Sequence, residues 1–394
     1  MQFSEVLHGK FPMETSAFSS RNGRIKGEPV YLSSFKRVYL GELPLEHLLS
    51  RQGASSLSIN NGSLAYGIPM HISMILSALF LGCGVLGSPA QLSRRASRTS
   101  APSGCLTVGG SGTYSTIGGA LDALGSGTSS ACIYIAAGTY KEQLKIDYAG
   151  ALTLYGETSD TGTYKSNKVT ITHTISSPEA GTLDKSATVN VVSDGFKMYN
   201  INVENGYGKG VQAVALVGNA DKLGFYGCQF SGYQDTLYAK AGTQYYSNCK
   251  IVGAVDYIFG DASAWFGECD IVSNGPGAIT ANSREQESDT AWYAIDNCNV
   301  QAESGTNIDG DVYLGRPWRV LSRVIYQNSK LGALINSKGW TTMADGATPF
   351  YYEINNSGDG SSTSKRQYLS SIGAAVTKKT VLGDDWKDWI DTSY

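Results

Sequence analysis

CQFSGYQD at residues 228–235 and CKIVGAVD at residues 249–256 each run from a cysteine to an aspartate over the same spacing, and the second begins 21 residues after the first. The cysteine slot belongs to a longer series: Ile201, Cys228, Cys249, Cys269, Cys298 and Ser329, separated by 27, 21, 20, 29 and 31 residues. Three positions before each slot stands a large apolar residue, namely Met198, Phe225, Tyr246, Phe266, Ile295 and Tyr326. Two positions after it stands another, Val203, Phe230, Ile251, Ile271, Val300 and Leu331. Members at i and i+2 share one face of a strand, so they point into one core. Short strands recurring at this period, with polar insertions of varying length between them, fit a coil of parallel strands in which each turn stacks on the last. The reading is an all-β chain wound as a parallel β-helix. A β-sandwich would show hairpin turns every 8 to 12 residues, and Asn-Gly or Asp-Gly hairpins between adjacent strands are sparse here. STIGGALDAL, from Ser115, reads as a short helix opened by a Ser or Thr cap, and it is placed over the open N-terminal end of the coil.

Composition agrees with turns and strands. The 394 residues include 47 Gly, 24 Tyr and 10 Pro, with 31 Lys+Arg against 34 Asp+Glu. Without a basic excess, a nucleic-acid partner is not expected; a formal net charge of -3 suits a neutral or weakly charged one. Near the start, MHISMILSALFLGCGVLGSPA holds an apolar run from Ile72 to Leu86, followed by Ser88, Pro89 and Ala90. It is short for a membrane span and ends on small residues, so residues 70–90 are expected to be a signal peptide, with secretion as the consequence and no membrane anchoring. A buried core helix is the competing reading. Residues 1–69 would then be an extension upstream of the true start at Met70 or Met74. Residues 91–100, rich in Ser and Arg, read as a linker and 101–394 as the mature domain. An exported chain can pair its thiols, and six cysteines remain from Cys105 onward. Asn355-Asn356-Ser357 is a glycosylation sequon.

The register decides what the two aspartates do. If Cys228 and Cys249 share a slot, Asp235 and Asp256 share one too, about 4.8 Å apart. Two carboxylates that close cannot both ionise freely, so one pKa must rise. At the same offset the other repeats carry Gly208, Pro276, Gly305 and Asn336, which confines the pair to two adjacent turns. Two unrelated turn-forming aspartates are the competing reading. Against it stand the surrounding segments VQAVAL, GYQDTLY, VDYIFG and LGRPW, which carry Gln, aromatic and Arg residues in a weakly charged chain. After signal removal only His173 remains among the histidines, and no G-x-S-x-G occurs, so a Ser-His-Asp hydrolase is hard to build. His173 reads as a surface strand residue. Consecutive mature cysteines are at least 20 residues apart, which is not zinc spacing. No metal and no cofactor are therefore expected, and carboxylates must do the work.

At these segments the chain resembles the pectin methylesterases, carbohydrate esterases built on a single-stranded right-handed parallel β-helix. The likeness runs from TYSTIGGALDAL and IAAGTYKEQL, through the four segments above, to VLGDDWKDWI. It implies a substrate, methyl-esterified homogalacturonan. It also implies roles: Asp256 of DYIFG as nucleophile, Asp235 of GYQDTLY as general acid/base, and Arg316 of LGRPW as the partner that orients the nucleophile. Physical reasoning agrees, since an Arg beside one carboxylate keeps it ionised and leaves its neighbour as proton holder. Gln212 and Gln234 would hold the oxyanion, and Trp318, Phe259 and Tyr238 would stack on sugar rings, with ordinary core packing as their alternative. The family's bridge near the nucleophile matches Cys249 with Cys269, whose slots are one strand spacing apart; Cys228, one turn away, competes. Cys105 and Cys132 make a second candidate bridge, which leaves Cys228 and Cys298 as buried thiols. A rigid scaffold of near-neutral charge suggests a monomer. Two rivals share the architecture: a depolymerase, either polygalacturonase or lyase, and a non-catalytic polysaccharide binder. Against a lyase stands the lack of a dense acidic calcium cluster, and against a polygalacturonase the single His and the Gln-rich surroundings; the binder would use the aromatic groove without chemistry.

Overall fold

A computed structural model describes residues 96–394; the expected extension, the signal peptide and residues 91–95 of the linker lie outside them. Three parallel sheets form the walls of the coil. The first has ten strands, from Leu106–Val108 to Phe350–Ile354; the second has eight, from Gly138–Lys141 to Lys330–Leu331; the third has seven, from Leu144–Ile146 to Val312–Gly315. Every pairing between named strands is parallel, and each strand in a sheet comes from the next turn of chain. The architecture is the parallel β-helix expected from the repeat.

Register matches the sequence ladder residue by residue. Met198, Phe225, Tyr246, Phe266, Ile295 and Tyr326 are successive partners in the ten-stranded sheet. Val203, Phe230, Ile251, Ile271, Val300 and Leu331 are partners in the eight-stranded one. All twelve are buried in one continuous core. In-register stacking brings like side chains face to face: Phe225, Tyr246 and Phe266 stack with centroids 4.8 and 4.7 Å apart, contacts worth about 0.5–1.5 kcal/mol each beyond area burial. Between these two ladders the chain turns a sharp corner. The residue before each slot is left-handed there: Asn200, Gly227, Asn248, Glu268, Asn297 and Asn328 all have φ between 52° and 58°. Asn and Gly tolerate that region, which is why they dominate the corner.

The slot residues correct one expectation. Cys228, Cys249, Cys269 and Cys298 are buried free thiols, and the disulfide joins Cys105 to Cys132. Equivalent residues of stacked parallel strands have side chains that run alongside each other, whereas a disulfide needs Cβ atoms that converge to about 3.8 Å. Each thiol turns instead to main-chain oxygens, Cys249 to Phe225 and Ser247, Cys269 to Tyr246 and Gly267. Cys105 and Cys132 escape the constraint because Cys105 precedes the first strand; their Cα atoms are 4.6 Å apart.

Both ends of the coil are covered. Helix Ile117–Leu124 starts at Thr116, whose side chain accepts from the Gly119 amide, and buries Ile117 and Ala120 against the first strands. At the other end Arg366 and Glu353 form a buried ion pair, Nε to Oε1 2.9 Å, and Trp340 donates to the same carboxylate oxygen. Helices Lys378–Leu382 and Trp386–Trp389 pack on the outer face of the ten-stranded sheet, against Tyr199, Tyr226, Tyr245 and Trp265.

Candidate active site

The two aspartates sit at the corner entering the seven-stranded sheet. Gln234 bridges Val255 in parallel, and the Asp235 amide donates to the Val255 carbonyl at 3.0 Å, so Asp235 and Asp256 occupy equivalent positions on adjacent turns. Both have left-handed backbones, φ 63° and 49°. That conformation lifts each carboxyl out of the pleat, and Asp tolerates it better than most residues. Beyond this pair the spacing of seven fails. Strand register puts Ala278 next to Asp256 where the sequence offset pointed to Pro276, and Val214 next to Asp235 where it pointed to Gly208. The corner holds two extra residues after Cys269 and six after Ile201. The pair still stands alone, bounded by apolar neighbours.

Arg316 follows strand Val312–Gly315, two turns on from Asp256, its amide anchored to the Thr280 carbonyl of the turn between. Its guanidinium grips Asp256 with two bonds, Nε to Oδ1 at 2.8 Å and Nη2 to Oδ2 at 2.6 Å, the fork geometry of a charge-assisted pair. No such clamp reaches Asp235. It is 7% exposed, its carboxyl makes no hydrogen bond among the described residues, and its pKa is pushed up to about 8, first by burial and then by the charge of Asp256, with Arg316 opposing. One site thus holds a clamped carboxylate beside a carboxylic acid that keeps its proton at neutral pH.

These groups share one cavity of about 190 Å³, lined by Gln212, Gln234, Asp235, Asp256, Phe259, Arg316 and Trp318 together with Leu183, Ala281 and Met343. Among the described residues, neither the Gln212 nor the Gln234 side chain is bonded to another protein group, so both amides are free to donate into the cavity. Phe259 is nearly buried and stacks on Tyr238, centroids 4.3 Å apart; Trp318 tilts over both, at 5.8 and 6.2 Å. Tyr238 itself lies outside the cavity lining and supports it from the adjacent strand. Sequence reading missed Leu183 and Met343. They arrive on the helix Leu183–Ser186 and the loop after Trp340, outside the repeat, where no spacing pointed to them. His173 ends strand Val169–His173, half-buried and far along the chain from these groups.

A paired carboxyl site on a parallel β-helix narrows the families that fit, and a family model for pectinesterases matches residues 105–392. The chain belongs to the pectinesterase family. It is similar to probable pectinesterase A of Aspergillus niger, 76% identical over 327 residues that cover 82% of this chain and 100% of the relative. It is similar in structure to the pectin methylesterase from Aspergillus niger in deglycosylated form, with a TM-score of 0.75 and 80% identity over 76% of this chain and 100% of that one. The likeness extends to the pectin methylesterase from carrot, TM-score 0.66 and 29% identity over 73% of this chain and 97% of that one. As a pectinesterase of the fungal kind, the chain is a carboxylic ester hydrolase whose reaction is pectin demethylesterification. The depolymerase and the non-catalytic binder are thereby set aside.

Proposed function

We propose that Asp256 and Asp235 carry this reaction on methyl-esterified homogalacturonan through an aspartyl acyl-enzyme. A carboxylate oxygen of Asp256 adds to the ester carbonyl carbon, and the oxyanion that forms accepts hydrogen bonds from the Gln212 and Gln234 amides. Collapse breaks the bond to the methoxy oxygen, which takes the proton of Asp235 and leaves as methanol. The galacturonyl group is now joined to Asp256 as an anhydride. Asp235, ionised by that transfer, takes a proton from water as the water oxygen adds to the galacturonyl carbon. Collapse frees the unit as a carboxylic acid still within the polysaccharide chain, restores the Asp256 carboxylate and leaves Asp235 protonated again. Arg316 orients the nucleophile, while Trp318 and Phe259, backed by Tyr238, hold the sugar beside it. Every step uses groups of the chain itself.

One observation carries the reading: a carboxylate clamped by Arg316 lies one turn from a buried, protonated carboxyl, with two unengaged amides in the same cavity. The assay is methanol release from highly methylated pectin with reducing ends and viscosity followed in parallel. Methanol without chain shortening supports it; new reducing ends or unsaturated products would overturn it.

The apolar run at 72–86, within a signal peptide at 70–90, supports a secreted, extracellular enzyme whose mature part is 101–394, with 91–100 as a linker and 1–69 outside the native product. Among the described residues no helix is long and apolar enough to cross a membrane. Asn355 is exposed, as a glycan at its sequon would require. The enzyme would act as a monomer. Mass spectrometry of the secreted protein tests these limits; a mature chain retaining residues 1–69 would refute them.

A further inference from the structure

Gln212 stands where the coil is least regular. It follows the loop that leaves strand Asn202–Asn205, residues 206–211, three of which are glycine, with Gly208 at φ 78°. Gln234 has no such freedom, because it is bridged to Val255 in the ladder, one residue before Asp235. A glycine-rich loop gives up much conformational freedom to hold one side chain in place. What fixes Gln212 comes from outside its own loop.

The segment that breaks the repeat supplies the hold. Its first helix, Ser177–Ala180, starts from a capping box between Ser176 and Glu179, and the Ser177 amide at the first helical position donates to the Gln212 carbonyl at 2.7 Å. Its second helix, Leu183–Ser186, ends on a hydroxyl that accepts from the Val214 amide at 3.3 Å. Asn205 closes the arrangement. Its side chain is buried, 2% exposed, and its amide nitrogen donates to the carbonyls of Ile175, Ser186 and Val214, each at 3.0 Å. Ile175 lies just before the first helix, Ser186 ends the second, and Val214 is two residues beyond Gln212. One side-chain amide, its two hydrogens shared among three carbonyls, thus ties both ends of the segment to the corner that carries Gln212. Its Oδ1 accepts from the Tyr207 amide at 3.2 Å and turns the start of the glycine loop. The Ala213 amide donates to the Gln234 carbonyl at 3.1 Å, so both residues that offer amides to the oxyanion belong to one frame. A buried network with its donors and acceptors satisfied is rigid, and removing its hub leaves carbonyls unpaired.

We propose that Asn205 is a positioning residue for the side-chain amide of Gln212, acting through the segment from Ile175 to Ser186. Asn205 does not line the cavity of the two aspartates, whereas Gln212 does. The inference rests on the oxyanion role proposed for Gln212. An oxyanion exists only as the ester carbonyl is attacked, so a misplaced Gln212 slows the chemical step and leaves substrate binding alone. The segment therefore does more than wall the cavity with Leu183: it sets the rate.

Two variants test this. Asn205→Ala removes the hub. Ser177→Pro deletes the amide that holds the Gln212 carbonyl; proline is favoured at the first position of a helix, and the capping box of Ser176 and Glu179 remains. Each should lower kcat for methanol release from highly methylated pectin by about ten- to hundredfold, with KM within about twofold, at a temperature where circular dichroism shows the variant folded. In the Gln212→Ala background neither should lower kcat further, because the group they position is gone. Losses that multiply with that of Gln212→Ala, an unchanged kcat in Ser177→Pro, or an effect on KM alone would overturn the proposal. If Asn205→Ala does not fold, Ser177→Pro decides. An unchanged kcat in Gln212→Ala itself would overturn the oxyanion reading, and this inference with it.

Discussion

Asp235→Asn should make the protein more stable at neutral pH while disabling it, and the gain should depend on pH in a set way. The native carboxyl has its pKa raised from 3.8 to about 8. A raised carboxyl binds its proton in the folded state over a window where the unfolded chain has released it. Stability from this group is therefore fully present below about pH 4 and is lost as pH rises toward 8, with a slope approaching about 1.4 kcal/mol per pH unit. Over the whole window the loss is on the order of 5 kcal/mol. Asn carries no proton to lose. It also keeps a residue tolerant of φ 63° at this corner, which Ala would not, so backbone strain does not enter the comparison. The carboxyl has no hydrogen bond among the described residues for the amide to break, and any cost of burying the amide shifts the variant's curve without tilting it. The measurement is Tm against pH for both proteins. Their difference should be flat below pH 4, widen between 4 and 8 to about 10 °C in the variant's favour, and level off above. A difference that stays constant from pH 4 to 8, or one that moves against the variant as pH rises, would refute the assignment of Asp235 as the proton holder. In the proposed mechanism methanol departure needs the proton of this carboxyl, so activity should fall on an alkaline limb through about pH 8, read from a pH profile of methanol release.

Asp256→Asn keeps a left-handed-tolerant residue and the partner of Arg316 in shape, so it should fold while methanol release falls by roughly a thousandfold or more. Arg316→Lys retains a cation but not the two-bond fork and should lower kcat well below its effect on KM; an equal or larger effect on KM would assign Arg316 to substrate binding. Removing either Gln212 or Gln234 as Ala should cost about a hundredfold in kcat with little change in KM, and a change in KM alone would remove that amide from the oxyanion role. Thiol titration of the unfolded, unreduced chain should find four free thiols among the six cysteines from Cys105 onward, where a Cys249–Cys269 bridge besides Cys105–Cys132 would leave two. Cys105→Ser/Cys132→Ser opens a loop of sequence separation 27 and should lower stability by about 3–4 kcal/mol, read as a shift in denaturant midpoint.

The core ladder was legible in sequence because its slots tolerate little: a residue at Phe225 or Tyr246 faces the interior between stacked neighbours, and the chain returns to that position on every turn whatever the loops do. The carboxyl pair was legible for the same reason over one turn only. From Cys228 to Asp235 and from Cys249 to Asp256 the corner has equal length, but it grows by two residues after Cys269, so an offset read from sequence drifts off the structural column. A second signal stood unread. Asn, Gly or Glu before each slot marks the left-handed corner, and the run of Asn200, Asn248, Asn297 and Asn328 would have fixed the sheet boundary without any structure. Of the two expected bridges Cys105–Cys132 forms, and Cys249–Cys269 does not, because spacing speaks to how near two Cα atoms lie and is silent on where the Cβ atoms point.

A second cavity of about 400 Å³, lined by Lys145, Lys185 and Asn190 among others, shows the limit from the other side. Lys145 and Asn190 are 45 residues apart in the chain, and Asn190 and Val217 are 27 apart, yet they are direct neighbours on the sheet. Nothing local ties them, because the intervening turn is inflated by the segment that carries Leu183 and Lys185. That inflation has a physical role. A uniform coil would offer the substrate a flat wall, whereas the inserted helix, pinned by the Asp184–Lys240 pair, divides the wall into a reaction cavity and a polar one. The strictly repeating part of the sequence thus supplies the rigid spacing of the carboxylates, and the part that breaks the repeat shapes the cavities beside them.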